Sequence, residues 1–168
     1  KNGYKVIMLA RNEKFLKKLE KSIPNTYAYR CDVSKINNID KTCKKFKKEI
    51  GHPDIFIHNA VAGITDGGLS GNFLDDKPEK LDVNFNVNTK SLLYFARSLA
   101  PVMIKNKSGS IIVTGNTSAL RGKANFCYFA PTKAAQRILA QALARDLGPK
   151  GVHVAYILID AAIDTPRT

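Results

Sequence analysis

The sequence has no run of 18 or more apolar residues, which excludes an ordinary membrane-spanning helix. No charged-then-apolar leader stands at its start, where Lys1 takes the place of methionine. No two of the three cysteines, Cys31, Cys43 and Cys127, sit at CxxC spacing, and His52, His58 and His153 are scattered. No metal site is therefore expected. An odd cysteine count at irregular spacing fits a reducing, cytoplasmic location. Acidic residues are scarce, 14 against 27 lysines and arginines, for a formal charge of +13. Such a balance raises nucleic acid as a partner. The lysines, however, cluster at Lys14, Lys17, Lys18 and Lys21 and at Lys41, Lys44, Lys45, Lys47 and Lys48, the polar sides of two predicted helices. With no aromatic-rich basic strand beside them, they read as solvated faces, and a nucleic-acid partner is not expected.

Repeats, low-complexity tracts and linkers are also missing, so residues 1–168 form one domain. The lysine start and the abrupt Asp164–Thr168 end lead us to expect a fragment of a longer polypeptide.

Five apolar runs read as strands, at Tyr4–Ala10, Tyr27–Cys31, Ile55–His58, Ser110–Thr114 and Val152–Ile159. Between the first pair, Phe15, Leu16, Leu19 and Ile23 mark one side of a helix ended by Pro24. Ile36, Ile39, Cys43, Phe46 and Ile50 repeat at helical spacing before Gly51 and Pro53. Residues 59–77 are glycine-rich and read as a loop. A helical region follows over 78–106, bent near Asn86–Asn88, and another covers Phe129–Leu147. Strands that are apolar on both faces and alternate with helices specify an α/β fold, a doubly wound parallel sheet.

In such sheets ligands bind beyond the carboxyl ends of the strands. Those ends here are Arg11-Asn12, Asp32-Val33, Asn59-Ala60, Gly115 to Ser118, and Asp160-Ala161. They make a rim of a cation, a carboxylate, amides and hydroxyls, or else they are ordinary turns.

In NFCYFAPTKAA, residues 125–135, a tyrosine and a phenylalanine precede a lysine. Helix residues four apart lie about 40° apart around the axis, those five apart about 140°. Lys133 therefore shares a face with Phe129 and not with Tyr128.

Four stretches in this order and spacing resemble the short-chain dehydrogenase/reductase family along essentially the whole chain. Cys31-Asp32-Val33 is similar to its strand-end Asp-Val, which meets the adenine ring. His58-Asn59-Ala60-Val61 is similar to its Asn-Asn-Ala-Gly turn. Asn88, thirteen residues before Pro101, falls at its helix asparagine. The segment from Asn125 to Val154 is similar to its stretch from Tyr-x-x-x-Lys to the next strand.

The resemblance implies a Rossmann-like domain and an NAD(P)-dependent reaction on a small carbonyl or alcohol substrate. In that family a tyrosine supplies the proton, a lysine holds the cofactor ribose and lowers the tyrosine pKa, a serine bonds the substrate oxygen, and the asparagine anchors a relay water. Carried over, Lys133 and Asn88 match. The tyrosine position holds Phe129, the serine position Asn116, and the glycine of Asn-Ala-Gly is Val61. Asn116 retains a hydrogen-bond donor, and Thr117 or Ser118 is a further donor if turned inward. Tyr128 substitutes as acid only if the helix start is distorted, for which Pro131 is the local cause. Tyr94 is a more distant candidate, read as a packing residue.

The implied cofactor contacts are Arg11, Asp32, Val33, Asn59, Ala60, Lys133 and Thr165. Ala10 closes the first strand where NAD-preferring members carry an acid, and Arg11 beside it suits a 2′-phosphate, so NADP is favoured with NAD possible.

The family's first strand and glycine-rich turn are absent, and Gly67-Gly68-Leu69-Ser70-Gly71 does not sit where a phosphate fingerprint must. In the 3-2-1-4-5-6 strand order, that strand would lie between this chain's first and third strands. Either the sheet closes up, or a preceding segment exists in the natural protein. Leu92, Leu93, Phe95 and Leu99, with Ile138, Leu139, Ala142 and Leu143, give two helices enough apolar surface for a homo-oligomer, as the resemblance implies. The competing reading is a non-catalytic dinucleotide-binding or assembly subunit.

Overall fold

A computed structural model of the chain describes residues 3–62 and 71–159. Strand β1 (Val6–Ala10) leads into helix α1 (Glu13–Ser22), then β2 (Thr26–Arg30), α2 (Ile36–Glu49) and β3 (Ile55–His58). A helical stretch follows as α3 (Glu79–Phe85), one π-helical turn (Asn86–Lys90) and α4 (Ser91–Asn106). Strand β4 (Ser110–Gly115), helix α5 (Ala130–Leu147) and strand β5 (His153–Leu158) complete the order, with 3-10 turns at Thr117–Ala119 and Gly148–Lys150.

The termini of these elements have local causes. Asn12 accepts a hydrogen bond from the Phe15 N–H at 3.0 Å, capping α1 and contributing about 1 kcal/mol. Gly151 has φ +83°, and a Cβ there would meet the Lys107 carbonyl oxygen at 2.7 Å, so this turn into β5 requires glycine.

All strand pairs are parallel. β1 pairs with β2 in the register Val6–Thr26 to Ala10–Arg30, and β4 lies between β3 and β5. The core sits where α2 and α4 cover the strands: Ile39, Cys43, Leu92 and Ile111 are fully buried, and the Phe56 and Phe95 rings meet at 4.9 Å. Burying a side chain of this size stabilises the fold by roughly 1.5–3 kcal/mol. The cysteines are free, Cys31 and Cys43 buried and Cys127 exposed. Among the described residues no helix is long and apolar enough to cross a membrane.

The sheet does not close up. Among the described residues β1 and β3 are not paired, and two sheets of two and three strands result. A cavity of about 930 Å³ separates them, lined by Val6, Ile7 and Leu9 on one side and Ile55, Phe56 and Ile57 on the other. Two apolar edges therefore face a common space, and Ile57 is 58% exposed.

The sequence reading needs adjustment in places. β1 starts at Val6, not Tyr4, because no strand partner takes up Tyr4, which is largely exposed. In α1 the inner position belongs to Leu16, and Phe15, about 100° round the axis, is exposed together with Ile23.

Candidate active site

The carboxyl ends of β1, β2 and β3 hold the first group of expected residues. After β2, the Asp32 carboxylate accepts from the Ser34 N–H at 3.1 Å and the Ser34 hydroxyl at 2.6 Å. Burial works against its charge, but these bonds, with Lys35 and Arg11 nearby, hold its carboxyl below the ordinary range. Val33, Asn59 and Ala60 line the carboxyl end of the cavity between the sheets. Asn59 accepts from the Thr114 hydroxyl at 2.8 Å, which ties the ends of β3 and β4 together. Thr165 and Asp160-Ala161 lie outside the described residues, as do Gly67 to Ser70.

The second group surrounds the start of α5 and lies outside the lining of that cavity. The π-helical turn places Asn88 in a fully buried position. Its amide nitrogen donates to Thr132 Oγ1 at 2.9 Å and its oxygen accepts from the Ala62 N–H at 3.0 Å. Side chains bond backbone carbonyls on both sides of this point: Ser91, just after the turn, donates to the Val87 carbonyl within it, and Asn84, in α3, to the Lys80 carbonyl.

Lys133 is 3% exposed. Its ammonium donates to the Thr114 carbonyl at 3.0 Å and to Gln136 Oε1 at 2.5 Å. Among the described residues no carboxylate pairs with it, and burial pushes its pKa down to about 8. The amide of Gln136 donates in turn to the Asn88 carbonyl at 2.7 Å, so lysine and asparagine belong to one buried network.

Phe129 occupies the turn before Lys133, with the Lys133 N–H bonded to the Phe129 carbonyl at 3.1 Å. Its ring is buried at 1% exposure, edge-on to Phe126. Helix α5 is regular from Ala130. The Tyr128 hydroxyl instead reaches the carbonyls of Phe73 and Asp76, at 3.2 and 3.3 Å. Tyr94 packs against the core.

Asn116 follows β4, and its buried Oδ1 has no hydrogen-bond partner among the described residues. An orphaned acceptor of this kind is costly unless a donor fills the space, as a hydroxyl or amide of a ligand would. Beside it, a Cβ on Gly115 would lie 2.1 Å from the Tyr156 ring, so this strand end is built around that ring.

Sequence reasoning missed His58, Gln136, Ser91 and Thr132 as parts of the network. The available signal was a glutamine three residues after Lys133, on a helix side otherwise made of small and apolar residues.

A family model described as "Enoyl-(Acyl carrier protein) reductase" matches residues 1–168. An uncharacterized oxidoreductase of Staphylococcus epidermidis is 30% identical over 168 residues, covering 99% of this chain and 70% of that protein. Dehydrogenase/reductase SDR family member 6 of Xenopus laevis is 31% identical over 167 residues, covering 99% of this chain and 64% of that protein. Among solved structures, a short-chain dehydrogenase from Streptomyces avermitilis superposes with a TM-score of 0.87 at 25% identity, over 98% of this chain and 60% of that one. A serine dehydrogenase complexed with NADP+ does so with a TM-score of 0.83 at 27% identity, over 93% of this chain and 62% of that one. Agreement of sequence and fold over nearly all of its length means that the chain belongs to the short-chain dehydrogenase/reductase family.

Proposed function

We propose that the chain carries the site of an NADP(H)-dependent oxidoreductase acting on a small carbonyl or alcohol substrate. The observation that supports this most is Lys133: a buried ammonium with no carboxylate partner among the described residues, held at the end of β4 and linked to Asn88. Two of its three hydrogens are engaged among the described residues, which leaves one for a ribose hydroxyl. The orphaned Asn116 oxygen is a second place where a ligand donor fits. Arg11, Asp32, Val33, Asn59 and Ala60 would hold the adenosine half, and Arg11 suits a 2′-phosphate better than Ala10 suits a bare ribose, with NAD the poorer fit. Thr165 belongs to the same proposal. The relative complexed with NADP+ agrees with that preference.

NADPH, when bound, supplies the hydride. The chain's own residues then have to orient the carbonyl and deliver a proton. Asn116 would bond the substrate oxygen through its amide nitrogen, as a preorganised donor to developing charge. Phe129 has no proton to give, and the Tyr128 hydroxyl is engaged with the 73–76 loop. Loss of a positioned acid costs about 10²–10⁴-fold in rate.

A second reading, a dinucleotide-binding or assembly subunit without turnover, is favoured by the buried Phe129 ring at the acid position. The outer faces of α4 and α5, with Leu93 and Ile138 exposed, are the surface we propose for homo-oligomer assembly.

Titration with NADPH, followed by a carbonyl-reduction screen of the protein beside Phe129→Tyr and Tyr128→Phe, tests these readings. We expect NADPH binding, slow turnover, and a gain of about 10²-fold or more in Phe129→Tyr. Turnover confined to Phe129→Tyr would support the non-catalytic reading. Turnover abolished by Tyr128→Phe would make the offset tyrosine the acid. Absence of NADPH binding would overturn both.

A further inference from the structure

Behind Lys133 lies a line of buried polar groups that neither proposed reading uses. Gln136 is 0% exposed, His58 2% and Ser91 1%. The Asn88 carbonyl can only accept, so the Gln136 atom 2.7 Å from it is the amide nitrogen. The Lys133 ammonium can only donate, so the Gln136 atom beside it is the oxygen. Both ends of the amide are fixed by partners that leave no choice. The second amide hydrogen then points at His58 Nδ1, 3.1 Å away, which must accept. His58 is therefore neutral, carries its proton on Nε2, and donates to Ser91 Oγ at 2.6 Å. Ser91 closes the line by donating to the Val87 carbonyl at 2.5 Å.

We propose that Gln136 and His58 are positioning residues for Lys133, a one-way chain of hydrogen bonds from the ammonium to the Val87 carbonyl that holds the amine in place and ties it to the tautomer of His58. The part concerning cofactor affinity rests on the NADP(H) reading; the hydrogen-bond chain does not.

The direction of the chain has a chemical consequence. A proton on His58 Nδ1 would face the Gln136 NH₂ group, donor against donor. Relief requires the amide to turn over, which puts its NH₂ group against Lys133 and removes the amine's acceptor. Burial and then the Lys133 charge, the one charged group acting on His58 among the described residues, keep the imidazole neutral, with its pKa lowered to about 4.

Imidazole ¹H–¹⁵N correlation spectra of the protein, with His58 assigned by its loss in His58→Asn, test the chain without any activity. We expect the Nε2–H tautomer at pH 7. Gln136→Glu should switch it, because a carboxylate accepts from Lys133 and also from Nδ1, so His58 should gain an Nδ1 proton at neutral pH. Gln136→Leu should shift the Lys133 titration and weaken NADPH binding about ten-fold, with the melting temperature and near-ultraviolet circular dichroism as folding controls. An Nδ1–H tautomer in the unaltered protein would overturn the proposal. So would a Gln136→Glu spectrum identical to the parent, or a folded Gln136→Leu variant with parental Lys133 titration and NADPH affinity. If Gln136→Leu does not fold, the parent and Gln136→Glu spectra decide alone. Spectra as expected with no NADPH binding to any variant would support the positioning chain and overturn the cofactor reading.

Discussion

His58 is a residue through which mild acid should act on this fold. Its pKa is about 4 in the folded chain against 6.5 in the open. Between those values the unfolded chain binds the proton and the folded chain does not, so stability falls as pH drops from 6.5 towards 4. The shift corresponds to about 3 kcal/mol at its full extent. Urea unfolding at pH 7 and pH 4.5 should show a loss on this order in the parent and a much flatter response in His58→Asn. Equal slopes in the two proteins would remove His58 as the cause. Lys133 acts in another window, where the folded chain releases its proton near pH 8 and the unfolded chain near 10.5, so stability rises with pH between them. At this scale the sequence was uneven as a guide. The i, i+4 rule, together with the order of the family motifs, set Phe129 on one face with Lys133, because helix geometry is fixed locally. His58 and Gln136 are 78 residues apart, and no local pattern joins a strand-end histidine to a helix glutamine.

The π-helical turn at Asn86–Lys90 is the element that buries Asn88 in the candidate site. The sequence reading set a bend near Asn86–Asn88, and the structure has a π-helical turn at that place. The widened turn itself was not legible, because it depends on Thr132 and Ala62 being there to receive Asn88. Asn88→Ala should leave the Ala62 N–H without its acceptor and take the donor from Thr132, at a cost of about 1–3 kcal/mol. In a chain of this length that lowers the melting temperature by about 2–4 °C per kcal/mol. Calorimetry checks it, and an unchanged melting temperature would mean that water replaces the amide without loss. The strands were legible within two residues at each end, since period and apolar runs act locally. The family strand order pointed to a gap between the first and third strands, but whether the sheet closes over it or stays as two was open in the sequence, because apolar pattern does not encode which strands pair.

As a whole, the molecule presents two apolar strand edges to one cavity. Unpaired edges of this kind template pairing with other chains. The protein should therefore scatter more light as its concentration rises, and Ile57→Lys, on an exposed edge position, should suppress that rise. Equal scattering from both would show that another surface associates. The chain spans 60–70% of the length of the relatives described above, and the activity proposed here is that of proteins longer than it. The open edge also marks the molecule in time. In a parallel strand, successive residues turn their amides to opposite sides, so β3 offers every second N–H to β4 and the others to the cavity. Amide exchange along Ile55–His58 then alternates between slow and fast, and the strand becomes a residue-by-residue gauge of whether anything has come to lie beside it.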